Sequence, residues 1–249
     1  MQPGYAGWKP KAVTGGIIAA GVLIGLTITA GAPTFRTWIA ERSSPRIAGE
    51  YIRTHPVRKL QIGAGTNEYP GWLNTDIEPG ATEAYLDATR HFPIPDASIH
   101  YIFAEHVIEH LSYDDGLFML RECYRVLAPG GKIRLATPNL MKYIQLFAEP
   151  KTDEVQNYLQ RKIAAHGWPP STRPESMILN LEMRSFGHRF LYDPRTLSDR
   201  LSQAGFGTIA QFPPGESDDP QLRGVESRHN SGWREMNDYE SMVIQATRP

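Results

Sequence analysis

A short apolar strand that runs into a glycine turn constrains this chain more than any other feature. The strand ends at Ile62, and Gly63 and Gly65 follow it with one residue between them. Glycines at such a turn let the backbone pass close to a ligand, where a Cβ would clash. Asp76 ends a second predicted strand, and a carboxylate there can accept hydrogen bonds from both hydroxyls of a ribose. The unit therefore predicts a site for a nucleoside-containing ligand.

The composition is that of an ordinary globular protein. The chain has 249 residues, of which 41% are hydrophobic and 21% charged, and its net charge is −1. Because this charge gives no electrostatic footprint for nucleic acid, no nucleic-acid partner is predicted. The one cysteine, Cys123, cannot form a disulfide within the chain, which fits a reducing compartment. We expect it to be a buried structural thiol.

The N-terminal part of the chain contains an uncharged run from Val13 to Ala32, built of Val, Ile, Leu, Ala, Gly and Thr. A membrane-spanning helix needs about 20 such residues, so residues 13–32 are predicted to be an uncleaved transmembrane anchor. More basic residues closely follow the run than precede it, which predicts that the rest of the chain lies in the cytoplasm. A cleaved signal peptide, a buried hairpin, or a cytoplasmic protein without an anchor are the alternatives.

Strands and helices alternate beyond residue 57. Ile99 to Ala104 has the pattern of a buried parallel strand. A helix begins at the capping sequence that starts with Ser112, and Lys132 to Thr137 is the next strand. This alternation predicts an α/β fold with a doubly wound, Rossmann-like sheet.

Three segments are expected along the chain. Residues 1–35 are the N-terminal tail and its hydrophobic helix. Residues 36–56 are a polar connector with some helix, broken by Pro45 and Pro56, and residues 57–249 are the main domain. Residues 140–186 interrupt the alternation with two or three helices. Because this insertion follows the carboxyl end of a strand, we expect it to lie over the ligand crevice.

Four blocks of sequence, in order, resemble the class I methyltransferases that use S-adenosylmethionine, in particular the methyltransferase type 11 group. They are LQIGAGTN at 60–67, HFPIPDASIHYIFAEHVIEHL at 91–111, ECYRVLAPGGKIRLATPN at 122–139, and GHRFLYD at 187–193 together with LSQAGFG at 201–207. The resemblance covers roughly residues 57–212. It implies a mostly parallel seven-stranded sheet, S-adenosylmethionine as the cofactor, and methyl transfer as the activity.

The same resemblance implies a set of cofactor-binding residues. The glycine turn lies near the methionine and ribose, Asp76 holds the ribose hydroxyls, Asp87 lies beside the adenine amino group, and Glu105 lines the methionine end. The full set is Gly63, Ala64, Gly65, Asp76, Asp87, Ala88 and Glu105.

Methyl transfer to a hydroxyl needs a positioned acceptor and a group that removes its proton. Neutral imidazoles suit this task near pH 7, so His106, His110 and His188 are the candidate catalytic residues. The predicted acceptor is a small molecule, a glycan or a lipid-linked compound, the last because of the anchor at 13–32. The target atom, the acceptor and the oligomeric state are left open.

Other interpretations remain beside this one. His106, Glu109 and His110 spell the H-x-x-E-H pattern, in which two imidazoles and a carboxylate can hold zinc; however, Glu-His-Leu is ordinary at this place in the resembled family, and no metal ligand is assigned. A non-catalytic regulator or scaffold that binds S-adenosylmethionine is the alternative function. An NAD(P) oxidoreductase is disfavoured, because the turn lacks the third glycine of the dinucleotide motif.

Overall fold

The computed structural model describes residues 35–169, 173–226 and 234–249. Seven strands form one sheet in the order β3-β2-β1-β4-β5-β7-β6. The strands are β1 Lys59–Ile62, β2 Leu73–Asp76, β3 Ala84–Tyr85, β4 Ile99–Glu105, β5 Leu127–Pro138, β6 Gly207–Phe212 and β7 Ser241–Thr247. β7 runs antiparallel to β5 and to β6, and the other neighbours are parallel. The predicted Rossmann-like, mostly parallel seven-stranded sheet is confirmed.

Helices flank this sheet and form the segment between β5 and β6. They are α1 Phe35–Thr54, α2 Tyr113–Val126, α3 Leu140–Gln145, α4 Asp153–His166, α5 Pro174–Arg184, α6 Pro194–Gln203 and α7 Arg234–Glu240, with a 3-10 helix at Ile108–His110. α2 begins as predicted, because the Ser112 side chain accepts a hydrogen bond from the amide of Asp115. Cys123 is fully buried on α2, and burial raises the pKa of its thiol well above the usual value.

The predicted break of the connector at Pro45 is wrong. Residues 36–54 belong to α1, which continues through Pro45. A proline inside a helix costs about 3 kcal/mol, but burial of Ala48 and Tyr51 offsets that cost. The Tyr51 hydroxyl accepts a hydrogen bond from the Lys59 amide at 2.8 Å and donates one to the Gly71 carbonyl at 2.9 Å. These contacts dock α1 against the start of β1 and the loop before β2.

The predicted hydrophobic helix and anchor at residues 13–32 lie outside the described residues. Among the helices that the structure describes, none is both long enough and apolar enough to cross a membrane.

The inserted helices α3, α4 and α5 pack together with α7 around an apolar cluster of their own. Its members include Tyr143, Tyr158, Met236 and Tyr239. α4 has well-formed ends: the Thr152 side chain caps its first turn, and Gly167 ends it in the left-handed conformation. The insertion is therefore a packed layer with its own core.

The order of the strands brings the predicted site residues to one edge of the sheet. β2, β1 and β4 are parallel neighbours, with Ile62 opposite both Thr75 and Ala104. The glycine turn after β1, Asp76 at the end of β2 and His106 after β4 therefore meet at the carboxyl ends of adjacent strands, where ligands bind in open α/β sheets.

Candidate active site

The turn after β1 is held open by backbone geometry. Gly63 has φ +71°, and a Cβ added there would lie 2.4 Å from Cγ2 of Val107. No side chain fits this position without movement of Val107. The amide of Gly65 donates a hydrogen bond to Oδ2 of Asp76 at 3.0 Å, and the amide of Ala64 donates to the Thr75 carbonyl at 3.0 Å. The turn thereby fixes the carboxylate of the next strand.

A cavity of about 420 Å³, the sheet cavity, opens at this edge. Of the residues predicted from the sequence, it is lined by Gly63, Asp76, Asp87, Ala88, His106 and His110. Val107, Thr89 and Arg189 also line it, and the sequence analysis missed them. Its volume lies within the roughly 300–1,000 Å³ usual for ligand pockets.

A second cavity of about 600 Å³, the insertion cavity, lies among the inserted helices and α7. Its lining includes Lys162, Glu182 and Glu240, which sequence reasoning missed because their burial depends on how the inserted helices pack. His106 and His110 line both cavities, and His188 lines the insertion cavity. The three predicted catalytic histidines are thus brought to one place, where the two cavities share their lining.

The acidic wall of the insertion cavity is partly neutralised. Nζ of Lys162 lies 2.8 Å from Oε2 of Glu240 and 4.0 Å from Oε1 of Glu182. The Tyr158 hydroxyl donates a hydrogen bond to Oε2 of Glu240 at 2.8 Å. Burial, and then the neighbouring Glu240, raise the pKa of Glu182 to about 7. A ligand in this cavity would meet a wall of hydrogen-bonding groups with little net charge.

His106 sits in an unusual backbone conformation directly after β4. Its φ is +54°, in the left-handed region that few residues other than glycine adopt. Its amide donates to the Ala136 carbonyl at 2.8 Å, and Nδ1 lies 2.8 Å from Oε1 of Glu109. Such strain concentrates at functional sites, and here it turns a largely buried imidazole toward both cavities.

Glu109 is a fully buried carboxylate in the 3-10 helix. Its Oε2 accepts a hydrogen bond from Oγ1 of Thr137 at 2.9 Å. Burial alone would raise the pKa of Glu109, but the contact with His106 and the nearby His110 outweigh burial and hold the pKa below its usual value. The ionised form is therefore favoured even though it has no access to solvent.

The segment after α5 brings His188 to this carboxylate. The amides of Arg189 and Phe190 donate to the carbonyl of Glu109 at 2.8 and 3.1 Å. Nδ1 of His188 donates a hydrogen bond to the Glu182 carbonyl at 2.6 Å, which leaves Nε2 as the ring nitrogen with a free lone pair. The rings of His188 and His110 lie 4.9 Å apart. Burial lowers the pKa of His188, which favours the neutral ring.

Glu105 does not join this group. It is the last residue of β4, and it lines a separate small cavity together with Pro214 and Glu226. Ala64 and Gly65 do not line the sheet cavity, and they belong to the turn whose Gly65 amide donates to Asp76.

Residues 60–135 match the family model of a methyltransferase domain. A probable S-adenosylmethionine-dependent methyltransferase of Mycolicibacterium smegmatis is 45% identical over 51 residues, which are 20% of this chain and 19% of that protein. The match thus spans about a fifth of that curated relative. The family match and this relative confirm the predicted resemblance of residues 60–135 to a methyltransferase domain.

Solved methyltransferase structures are similar to the chain at low sequence identity. A SAM-dependent methyltransferase from Archaeoglobus fulgidus is 17% identical, with a TM-score of 0.48, and the alignment covers 85% of this chain and 94% of that one. Phosphoethanolamine N-methyltransferase 2 of Haemonchus contortus, solved with S-adenosyl-L-methionine, is 15% identical, with a TM-score of 0.42; the alignment covers 78% of this chain and 49% of that one.

The sheet cavity fits S-adenosylmethionine on two observations. Gly63 and Val107 both line the cavity, and a Cβ at Gly63 would collide with Val107. The turn therefore has bare backbone, without a side chain, at the point where a ligand would lie. Asp76 accepts hydrogen bonds from the amides of Gly65 and Glu78, yet an ionised carboxylate has about four acceptor sites. Two sites therefore remain for the hydroxyls of a ribose.

Proposed function

We propose that this protein transfers a methyl group from S-adenosylmethionine to a hydroxyl of a small-molecule, glycan or lipid-linked acceptor. The observation that carries the proposal is the shared lining of the two cavities by His106 and His110. The sheet cavity suits the cofactor, and the insertion cavity is large enough for an acceptor. An acceptor group beside the shared histidines would then lie next to the methyl group.

Gly63 and Asp76 would hold the cofactor, with Asp87 and Ala88 on the adenine side and Ala64 and Gly65 supporting the turn. Glu105 stays a prediction from the sequence alone. Bound S-adenosylmethionine supplies a methyl group on positively charged sulfur: the acceptor oxygen bonds to the methyl carbon while the carbon–sulfur bond breaks, and that electron pair stays on sulfur. Positioning of the acceptor supplies much of the rate enhancement.

His106 is our choice for the group that takes the hydroxyl proton. Its Nδ1 lies 2.8 Å from Oε1 of Glu109, so Nε2 is the ring nitrogen that remains to face a ligand and accept its proton. A carboxylate behind an imidazole fixes its orientation and stabilises its protonated form. His110 and His188 support the acceptor on the same side, because they lie beside Glu109 in the wall of the insertion cavity.

The test is incubation of the full chain with methyl-labelled S-adenosylmethionine and a panel of hydroxylated acceptors, both soluble and in lipid vesicles. Formation of S-adenosylhomocysteine that depends on one acceptor class supports the proposal. Binding of the cofactor without transfer to any acceptor would favour the alternative, a non-catalytic regulator or scaffold.

A membrane-borne acceptor is part of the proposal and rests on residues 13–32 alone. If this run is an anchor, the full chain resists extraction from membranes by alkaline carbonate, and a variant with Leu23→Lys and Leu26→Lys is released. Release of the unaltered chain by carbonate would refute the anchor and favour the alternatives, a cleaved signal peptide, a buried hairpin or a cytoplasmic enzyme.

A further inference from the structure

We propose that Glu109, His110 and His188 form a binding site for a transition-metal ion of the zinc type, at the wall of the insertion cavity that His110 and His188 line. One potential ligand atom from each of these side chains lies within 4.8 Å of the others. Glu109 and His110 end the 3-10 helix after β4, whereas His188 arrives from the far side of the insertion. Hydrogen bonds from the Arg189 and Phe190 amides to the Glu109 carbonyl fix this meeting.

The donor set defines the class of metal. Two imidazole nitrogens and one carboxylate oxygen suit zinc and similar transition metals, whereas magnesium and calcium prefer oxygen ligands. Three protein ligands with a fourth position left open is the arrangement of catalytic zinc sites. Ligand atoms about 2.0–2.1 Å from zinc lie roughly 3.3 Å apart, so the side chains need to approach one another by less than about 1.5 Å.

A second observation points to a cation at this place. Glu109 is fully buried, and its Oε1 accepts no hydrogen bond of good geometry, although Nδ1 of His106 lies 2.8 Å away. A buried carboxylate is costly unless it is paired or coordinates a metal. The groups next to the Glu109 carboxylate are the imidazoles of His106 and His110, which balance its negative charge only when they are protonated. A divalent ion would balance that charge while both rings stay neutral.

The surroundings hold the ligands in the orientation that a metal needs. Nδ1 of His188 donates to the Glu182 carbonyl at 2.6 Å, which fixes the tautomer and presents Nε2 as the ligand. Oγ1 of Thr137 donates to Oε2 of Glu109 at 2.9 Å. Carbonyl and hydroxyl partners of this kind orient metal ligands in known sites, and their loss usually weakens binding about 10–100-fold.

The role of the ion rests on the proposed function. A metal between Glu109, His110 and His188 would adjoin the space where the acceptor lies, with its open position available to an acceptor oxygen. Coordination lowers the pKa of a bound hydroxyl, and His106, outside the ligand set, would still receive the proton. The ion would thereby select acceptors with a hydroxyl that can reach the metal.

The experiment is a calorimetric titration of zinc chloride into the tag-free full chain after treatment with a chelator, with magnesium chloride as a second titrant. We expect one zinc ion per chain and no measurable heat from magnesium at the same concentrations. His188→Ala should weaken zinc binding by more than about 100-fold, since a lost ligand costs more than a lost orienting partner. His110→Ala should do the same, so the result does not depend on one variant that folds poorly.

His166→Ala is the matched control, because His166 lines the same cavity outside the cluster. It should leave the zinc affinity unchanged, and cobalt bound to the unaltered chain should give visible absorption that His188→Ala abolishes. If the unaltered chain does not bind zinc, or if the His188→Ala and His166→Ala variants bind zinc with equal affinity, the proposed metal site is refuted. A titration of S-adenosylmethionine into the metal-free chain distinguishes a failure of the proposed function from a failure of the metal site. If the cofactor does not bind, the proposed function is refuted, whereas the zinc titration still decides the metal site.

Discussion

Nδ1 of His106 lies 2.8 Å from Oε1 of Glu109, a carboxylate with no exposure to solvent. This pair joins the end of β4 to the 3-10 helix and holds an imidazole that lines both cavities. The left-handed backbone of His106 is part of the same arrangement. In our proposal, this pair therefore lies between the cavity for the cofactor and the cavity for the acceptor.

Replacement of His106 by Ala should reduce methyl transfer far more than cofactor binding. General-base groups contribute about 10²–10⁴-fold to rate, so we expect kcat to fall within that range while the affinity for S-adenosylmethionine changes little. Labelled-methyl transfer and calorimetry measure the two effects. His91→Ala is the control, because the His91 side chain is 73% exposed and lines neither cavity. An unchanged kcat in His106→Ala would eliminate this residue as the base.

The two glycines of the turn should respond differently to alanine. Both have positive φ, but an added Cβ would meet Val107 at Gly63 and open space at Gly65. The left-handed conformation costs an alanine about 1–2 kcal/mol at either position. The clash at Gly63 adds about 1–3 kcal/mol. Urea denaturation of Gly63→Ala and Gly65→Ala measures the difference, and equal losses of stability would contradict the close approach to Val107.

Stability at acid pH should depend on Glu122. Burial would raise its pKa, but hydrogen bonds from Arg125 and from the Phe92 amide outweigh burial and lower the pKa below the usual 4.5. Since the folded pKa is the lower one, ionised Glu122 stabilises the fold above about pH 4.5, and that contribution is lost as the pH falls through the folded pKa.

Glu122→Gln should therefore lower the free energy of unfolding by about 1.5–3 kcal/mol at pH 7, the usual contribution of hydrogen bonds to a charged group. The difference from the unaltered chain should shrink toward pH 3. Urea denaturation across this range checks the sign. Glu50→Gln is the control, since Glu50 makes an exposed pair with Arg46 at 3.9 Å worth less than about 1 kcal/mol. A penalty that grows on acidification would refute the assignment.

Local sequence signals predicted the central part of the fold. The signals for the apolar strands before Gly63 and before His106, and for the helix cap at Ser112, each lie within a few residues of the chain. The strand β3 was missed, because two residues are too few for any periodic pattern. The continuous α1 was missed because Pro45 signals a break locally, whereas burial of Tyr51 is a tertiary effect.

The candidate site was predictable in its parts and less so in its assembly. Asp76 ends β2 and His106 follows β4, and the parallel order of these strands brings the two residues to one edge of the sheet. Their residue types and their positions along the chain were therefore sufficient to predict that both belong to the site. The approach of His188 to Glu109 depends on hydrogen bonds from the segment after α5, which no spacing along the chain reveals. The burial of Glu182 in the insertion cavity depends on how the inserted helices pack, which spacing along the chain does not reveal either.

Calorimetric titration of S-adenosylmethionine into the full chain, with NADH as the second titrant, tests the central claim most directly. We predict one site with a Kd of about micromolar order, no binding of NADH, and at least about tenfold weaker binding in Asp76→Ala, since hydrogen bonds to a charged group contribute about 1.5–3 kcal/mol. Asp114→Ala is the control, because the Asp114 side chain is 98% exposed. This variant should bind S-adenosylmethionine as the unaltered chain does. No binding of S-adenosylmethionine, or equal affinity in Asp76→Ala and Asp114→Ala, would contradict the assignment of the sheet cavity to the cofactor.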